Sequence, residues 1–391
     1  TLDDLSEMYP VITARCAEDA AVAERARAAT FDLQNGRAGY RALWQHFHDV
    51  SVSGQRNDFA DLDVEFDVWY GESTVNDRLE PLVHRLLEEG IARESDGAVI
   101  LDVAEPSDKK ELPPLLLTRS DGSYLYSTTD LATVDMRVAD MDADTLLYVV
   151  DARQGLHFEQ VFRAARAAGL ATDDTVLEHV GFGTVNDTHG KPFKTREGGV
   201  LRLGDLIDLV TTAASQRLDD AHIAEDYPPE ERGEIARQVG LAALKFGDLS
   251  NHRTSNYVFD LDRFASFEGK TGPYLQYSAV RIKSVLRKAA DLGLEPGAVV
   301  EPSVDQERTL MLQLVRLPNV LERAADLRAP NVIAEYAYDV ATDFSRFYEH
   351  CHILTEEDAD RQASWLTLVD TTLRTLTLLL DLLGIEIPER M

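Results

Sequence analysis

The residues best placed to do chemistry lie in the segment 190–199, which reads Gly-Lys-Pro-Phe-Lys-Thr-Arg-Glu-Gly-Gly and carries three cations. The whole chain has 391 residues and a formal net charge of −30, so most of its surface repels phosphates. The two glycines that end the segment give the backbone unusual freedom. Lys191 and Lys194 could reach one polyphosphate and stabilise the charge that develops as it leaves. The segment therefore predicts a phosphate-binding loop, and the alternative is a solvated hairpin tip.

A second group of residues could bind a cationic substrate. Tyr126 and Asp130 are four residues apart, and Asp130 is predicted to open a helix after a turn at Asp121-Gly122. If both side chains face a cleft, the carboxylate and the Tyr126 hydroxyl could hold a guanidinium through charge-assisted hydrogen bonds. The alternative is that Asp130 only caps the helix, because the helix dipole stabilises a carboxylate at that end.

Polar residues also follow a predicted strand. Residues 146–150 are a nearly continuous apolar run, typical of a strand buried on both faces of a parallel sheet. Gln154 and His157 come soon after it, and α/β sheets bind ligands at the carboxyl ends of their strands. We therefore expect a site here, with local hydrogen bonding or capping as the alternative for His157.

A basic stretch in an acidic chain predicts contact with RNA. Between residues 270 and 288 there are five cations and no acidic residue. Unpaired RNA bases stack on aromatic rings while the RNA backbone attracts cations. The stretch therefore predicts an RNA-binding surface, made of Lys270, Tyr274, Tyr277, Arg281, Lys283 and Arg287.

The order of predicted elements indicates an α/β part followed by an all-α part. Residues 1–110 are expected to be a helical and mixed region, with helices over 3–50 and 77–90, a strand at 64–68 and a hairpin near 98–101. Residues 111–210 alternate strands and helices in the manner of a βαβ unit. Residues 211–391 are predicted to be a helical bundle, with helices at 205–224, 229–247, 274–292, 303–316, 318–327, 331–350 and 362–383.

Composition limits the class of protein. The hydrophobic content of 44% and the charged content of 28% are ordinary for a soluble globular protein, and no apolar run is long enough to span a bilayer. We therefore expect a cytoplasmic protein that does not contact a membrane. The two cysteines, Cys16 and Cys351, have no metal-like spacing and are predicted to be buried thiols, so no metal site is expected.

Taken in order, these segments resemble arginyl-tRNA synthetase, a family of class I aminoacyl-tRNA synthetases, over essentially the whole chain. The segments that carry the resemblance are Tyr70–Ser73, Ser120–Ala132, Asp151–Gln160, Gly190–Gly199, Asn251–Tyr257, Phe267–Tyr277 and Leu383–Met391. The resemblance implies the second half of a Rossmann-type catalytic domain with a KMSKS-like loop within 111–210. It also implies a helical stem-contact and DALR-type anticodon-binding domain over 211–391.

The resemblance further implies ATP-dependent activation of arginine to arginyl-adenylate, followed by transfer to arginine tRNA. Tyr126, Asp130 and Gln154 would then bind arginine. His157 and the loop residues Lys191, Lys194 and Thr195 would bind ATP, with Mg²⁺ carried by the nucleotide. Lys191 and Lys194 would be the catalytic residues. Met391 would join the RNA-binding residues, and the complete enzyme would be a monomer.

One family motif is absent from the sequence. Class I synthetases carry a HIGH-type motif, and no His-x-Gly-His occurs in these 391 residues, which begin with Thr1. We therefore expect a truncated chain that binds tRNA, and arginine weakly, without catalysing ATP–pyrophosphate exchange. Two alternatives remain open. One is a non-catalytic synthetase paralogue that binds RNA, and the other is an adenylate-forming enzyme acting on a small molecule.

Overall fold

The structure is a computed structural model that describes residues 2–34, 36–110, 112–186 and 202–391. The chain divides into two units, Thr1–Gly181 and Phe182–Met391. The expected fold class is confirmed, because the first unit mixes helices with small sheets and the second is almost entirely helical. No helix in the described ranges is long and apolar enough to cross a membrane.

The first unit begins with three helices, α1 (Leu2–Glu18), α2 (Ala20–Gln34) and α3 (Ala38–Asp61). They confirm the helical prediction for this region, and no described side chain in them is buried. The strand predicted at 64–68 is wrong. Phe66 instead packs its ring against Phe59 and Trp69, at centroid distances of 4.8 and 5.2 Å, so this side chain belongs to a local aromatic cluster and not to a sheet.

A helix and a three-stranded antiparallel sheet follow. Helix α4 (Asn76–Glu88) precedes the hairpin of β1 (Ala92–Ser95) and β2 (Ala98–Leu101), and β3 (Leu115–Thr118) pairs with β2. The predicted hairpin is therefore confirmed. Its turn residues Asp96 and Gly97 have φ values of 52° and 80°, the left-handed conformations that a tight two-residue hairpin turn requires.

The strand–helix alternation continues with α5 (Tyr126–Ala139), β4 (Thr145–Asp151), α6 (Gly155–Ala167) and β5 (Val176–Phe182), and β4 pairs with β5. The prediction that β4 is buried on both faces is wrong. Leu146 and Tyr148 are buried, whereas Leu147 is 42% and Val149 68% exposed. Among the described residues, α6 covers only one face of the strand, through Phe158 and Phe162 against Tyr148.

The second unit opens with a short parallel pair, β6 (Val185–Asn186) and β7 (Tyr257–Val258). Its helices confirm the predicted bundle and are α7 (Leu203–Asp220), α8 (Pro229–Leu249), α9 (Leu261–Phe264), α10 (Gly272–Asp291), α11 (Asp305–Val315), α12 (Leu317–Leu327), α13 (Pro330–His350) and α14 (Ala359–Leu382). The main core of the unit joins α8, α10, α11, α13 and α14, with the fully buried Phe246, Leu275, Phe344 and Leu376 among its members.

The two cysteines differ in exposure. Cys351 is buried as predicted, and burial raises the pKa of its thiol to about 11. Cys16 in α1 is only partly buried, so the prediction of a buried thiol is wrong for that residue. The described side chains of α1 are all exposed or only partly buried, so this helix has no buried position for a thiol.

Helices α8 and α10 approach each other so closely that Gly272 has no room for a side chain. A Cβ at Gly272 would lie 2.5 Å from the carbonyl carbon of Ala242 and closer still to its oxygen. Because backbone must shift to accept it, we expect Gly272→Ala to lower the free energy of unfolding by about 1–3 kcal/mol in urea titrations.

A matched control lies in α8 itself. A Cβ at Gly233 would meet nothing within 4 Å, and the residue is exposed within the helix. Gly233→Ala should therefore raise the free energy of unfolding by about 0.5–1 kcal/mol, because alanine is the better helix former. Equal effects of the two substitutions would show that the contact between α8 and α10 is not tight.

Candidate functional site

The N-terminus of α5 is fixed to β3 by side-chain hydroxyls. Ser127 donates a hydrogen bond to the carbonyl of Leu116, and the Thr128 hydroxyl donates to the carbonyl of Leu117 at 2.5 Å. The helix begins at Tyr126, so the prediction that Asp130 opens it is wrong. Asp130 lies one turn inside the helix, where it is not a capping residue, and its carboxylate is available for other contacts.

Three of the predicted site residues meet at this point. His157 Nε2 donates to Asp130 Oδ2 at 2.6 Å, although the two residues are 27 positions apart. The ring of Tyr126 lies 4.7 Å from the imidazole of His157, measured between centroids. The side chain of His157 is 14% exposed and that of Asp130 is 29% exposed, while Tyr126 is 62% exposed. The result is a half-buried carboxylate with one oxygen held by an imidazole, beside an accessible phenol.

The ring of Phe158 packs against His157 and against two further rings. The buried ring of Phe158 lies 5.0 Å from His157, 4.9 Å from Tyr148 and 5.2 Å from His179. Burial raises the pKa of the Tyr148 hydroxyl. Sequence reasoning did not single out Phe158 or His179 as supports. The only signal for Phe158 was its place directly after a predicted site residue, on the buried side of α6.

The residues between β4 and α6 form a compact polar turn. Asp151 accepts hydrogen bonds from the backbone N–H and the guanidinium of Arg153, and these lower the pKa of its carboxyl to about 2. Gln154 directly precedes α6 and is exposed. The structure therefore brings Tyr126, Asp130 and His157 together, and it places Gln154 one turn before His157.

The phosphate loop lies elsewhere in the chain. Lys191, Lys194 and Thr195 fall outside the described residues. Their assignment to ATP and to catalysis stays a prediction from the sequence. Within the described residues, no group of three or more His, Cys, Asp or Glu side chains is arranged to hold a metal ion.

The predicted RNA-binding residues of α10 lie on two faces of that helix. At 100° per residue, Tyr274 and Arg281 share one face, and Lys283 is about 200° away from Arg281. The Arg281 guanidinium lies over the rings of Tyr277 and Tyr348, at 4.9 and 5.9 Å. Tyr274 packs against Tyr338 at 5.7 Å between ring centroids. The first face is therefore a cation set among aromatic rings, the combination that stacks with unpaired bases.

The remaining predicted RNA-binding residues have acidic or apolar neighbours. Lys270 forms an ion pair with Glu335, and Lys283 forms one with Glu389 at 2.9 Å. Arg287 is exposed at the end of α10. Met391 is partly buried and packs, as Tyr227 and Phe267 do, against a buried cluster formed mainly by α7 and α8. These acidic partners are 65 and 106 positions away, so the local sequence pattern does not indicate that the cations are paired.

Comparison with known families explains this combination of elements. Residues 1–261 match the family model described as "tRNA synthetases class I (R), catalytic domain". This chain belongs to that family. Residues 275–391 match the model described as "DALR anticodon binding domain", which covers α11–α14 and most of α10. The resemblance stated from the sequence is thus confirmed.

Individual relatives agree with the family assignment. The chain is 51% identical over 391 residues to a protein of Maricaulis maris and 47% identical over 392 residues to one of Alkaliphilus oremlandii, both named "Arginine--tRNA ligase". All of this chain is covered in both alignments, but only 66% of each relative. The chain thus spans slightly less than two thirds of the length of these curated relatives.

Solved structures of this synthetase family share the fold. The arginyl-tRNA synthetase of Plasmodium falciparum superposes with a TM-score of 0.78 at 24% identity, over 95% of this chain and 62% of that one. The enzyme of Thermus thermophilus superposes with a TM-score of 0.77 at 24% identity, over 97% of this chain and 69% of that one. These similarities extend across both units of the chain.

Proposed function

We propose that this protein is an arginine–tRNA ligase, which activates arginine with ATP and transfers it to arginine tRNA. The observation that carries the proposal is the carboxylate of Asp130, held by His157 and flanked by Tyr126, in a chain of the class I arginyl family. A fixed, half-buried carboxylate beside a phenol suits a guanidinium, whose planar fork makes paired hydrogen bonds to one anion.

Four side chains contribute to the proposed arginine site. His157 uses one acceptor site of Asp130 Oδ2, so the guanidinium would form its paired hydrogen bonds to Oδ1 and to the remaining acceptor site of Oδ2, and the Tyr126 hydroxyl would orient it. Gln154 would contact the same substrate from the turn before α6. His157 would act mainly as a positioning residue for Asp130, and the contact with ATP predicted for it would be additional.

The ATP-binding part of the proposal comes from the sequence. Lys191, Lys194 and Thr195 would hold the phosphates of ATP, with Mg²⁺ arriving on the nucleotide, and the two lysines would stabilise pyrophosphate as it leaves. We retain the division into 1–110, 111–210 and 211–391, with the loop in the second segment and the tRNA contacts in the third. The protein would act in the cytoplasm, as a monomer.

Binding measurements with this chain test the proposal. We expect calorimetry to detect arginine binding, and lysine to bind at least tenfold more weakly because its ammonium cannot make the paired contacts of a guanidinium. In the enzyme at the relatives' full length, arginine should be attached to its tRNA. Equal binding of lysine and arginine, or no binding of arginine tRNA, would refute the assignment.

The RNA part of the proposal predicts a specific effect of Arg281. We expect Arg281→Ala to weaken binding of arginine tRNA and to reduce the slope of log K against log salt by about 1, because one phosphate contact is lost. Filter binding over a series of salt concentrations measures both quantities. Arg308→Ala removes an exposed cation of α11 and is the matched control, for which the slope should stay unchanged.

A further inference from the structure

The last eight residues of the chain lie extended against two helices of the second unit. They follow the end of α14 and form no regular element, and Ile385 and Pro388 are buried whereas Glu386 and Glu389 are exposed. Gly384, at φ 65°, turns the chain out of the helix. The buried Ile385 and Pro388 therefore anchor an irregular segment to the protein.

Alternate carbonyls of this segment accept hydrogen bonds from side chains. Lys245 of α8 donates to the carbonyl of Gly384. Gln276 of α10 donates to the carbonyl of Glu386 at 2.7 Å, and Lys283 of α10 donates to the carbonyl of Pro388 at 3.2 Å. Successive carbonyls of an extended chain point to opposite sides, so three carbonyls two residues apart present one edge to the two helices.

The segment runs along nearly the whole of α8, from its C-terminal to its N-terminal end. Gly384 meets Lys245, Glu386 meets Gln238 at 3.0 Å, and Arg390 makes two hydrogen bonds to Glu231 at 2.7 and 2.8 Å. Between Glu231 and Lys245 the helix rises about 21 Å, at 1.5 Å per residue. From 384 to 390 an extended chain spans about 20 Å, at roughly 3.3 Å per residue. The extended segment is therefore about as long as the stretch of α8 that it contacts.

The buried Gln276 of α10 forms hydrogen bonds both to α8 and to the segment 384–391. It is fully buried, and its amide donates both to Glu386 of the tail and to the carbonyl of Gln238 in α8, at 3.1 Å. Gln276 and Lys283 are seven residues apart and share one face of α10, whereas Tyr274 and Arg281 share the face about 200° away. The tail thus contacts the side of α10 that faces away from the proposed RNA-binding side chains.

We propose that residues 384–391 are a strap that fixes α10 against α8 and so positions Tyr274, Tyr277 and Arg281 for RNA. Lys283 serves this strap and does not contact RNA. The inference rests on the proposed function for its partner, arginine tRNA. It also assigns the strap a coupling role, because α8 lies in the part matched by the catalytic model and α10 largely in the part matched by the anticodon-binding model.

Reversing the charge at Glu231 tests the strap. The strap and simple electrostatic attraction to RNA predict opposite changes in the Kd for arginine tRNA. Glu231→Arg adds positive charge, which alone would tighten RNA binding. The strap predicts instead that repulsion of Arg390 loosens the last residues of the segment, so that the Kd for arginine tRNA rises about three- to tenfold. Combining it with Arg390→Glu restores the ion pair and should bring the Kd back to within about twofold of wild type. Unchanged or tighter binding by Glu231→Arg overturns the proposal.

A second variant separates positioning from direct contact. Lys283→Met should weaken RNA binding several-fold with no change in the salt slope, whereas a slope lowered by about 1 would make Lys283 a phosphate contact and overturn its assignment to the strap. Hydrogen exchange on the free chain should show faster exchange of α10 amides in Glu231→Arg than in wild type, and equal exchange also overturns the strap. Wild-type protein that binds no tRNA would refute the proposed function, and hydrogen exchange would still decide whether the strap holds α10.

Discussion

Replacing Asp130 by Asn is expected to raise the KM for arginine about 100-fold in the enzyme at the relatives' full length. The substitution keeps the shape of the side chain but removes the charge that would pair with the guanidinium. Hydrogen bonds to charged groups contribute about 1.5–3 kcal/mol each, and about 3 kcal/mol corresponds to a factor of 100. ATP–pyrophosphate exchange at varied arginine measures the effect, and the KM for ATP should stay within a few-fold of wild type.

The same helix offers a matched control. Asp135 accepts a hydrogen bond from Arg78 at 2.9 Å, and its side chain is 33% exposed, close to the 29% of Asp130. Asp135→Asn therefore makes the same chemical change one and a half turns along α5, away from Tyr126 and His157. The KM for arginine should be unchanged in this variant. If Asp130→Asn also left it unchanged, Asp130 would not belong to the arginine site.

Local signals explain which parts of the fold the sequence could predict. Apart from the short α9, which the sequence does not predict, the helices of the second unit are separated by Pro, Gly and Asp signals, and their predicted positions agree with the structure to within a few residues. The sequence predicts that α5 starts at Asp130, because this residue resembles a capping residue. The helix instead begins four residues earlier and is anchored by Ser127 and Thr128, whose hydroxyls bond to β3. That tertiary anchor leaves no local sequence signature.

The site itself depends on pairs that are distant in the sequence. Tyr126 and Asp130 could be chosen from their types and spacing, but the hydrogen bond from His157 joins two elements separated by β4. Likewise, the basic stretch of α10 looks free of acidic residues until the fold brings Glu389 to Lys283. Helical periodicity alone predicts that Arg281 and Lys283 lie on different faces of α10. Only the tertiary structure shows that the second face is covered by the end of the chain.

Lys194→Ala is expected to lower kcat for adenylate formation by a factor of about 100 to 1,000, the effect of removing one preorganised group that stabilises charge in a transition state. The KM for ATP should change only a few-fold, because Lys191 and Thr195 would still hold the phosphates of the ground state. Single-turnover formation of arginyl-adenylate, followed at varied ATP, separates the two quantities. A rise in the KM for ATP with unchanged kcat would make Lys194 a binding residue only.

The charge of the whole molecule makes a local cation important for this step. With 69 acidic and 39 basic residues, the general field of the protein disfavours the negative charge that develops on bound pyrophosphate. In the 190–199 segment three side chains carry positive charge, and Lys194 is one of them. Lys194→Arg keeps the charge on a wider, planar group and should recover part of kcat. Full recovery would indicate that charge alone matters, and no recovery would indicate that the compact ammonium of lysine is needed at the leaving group.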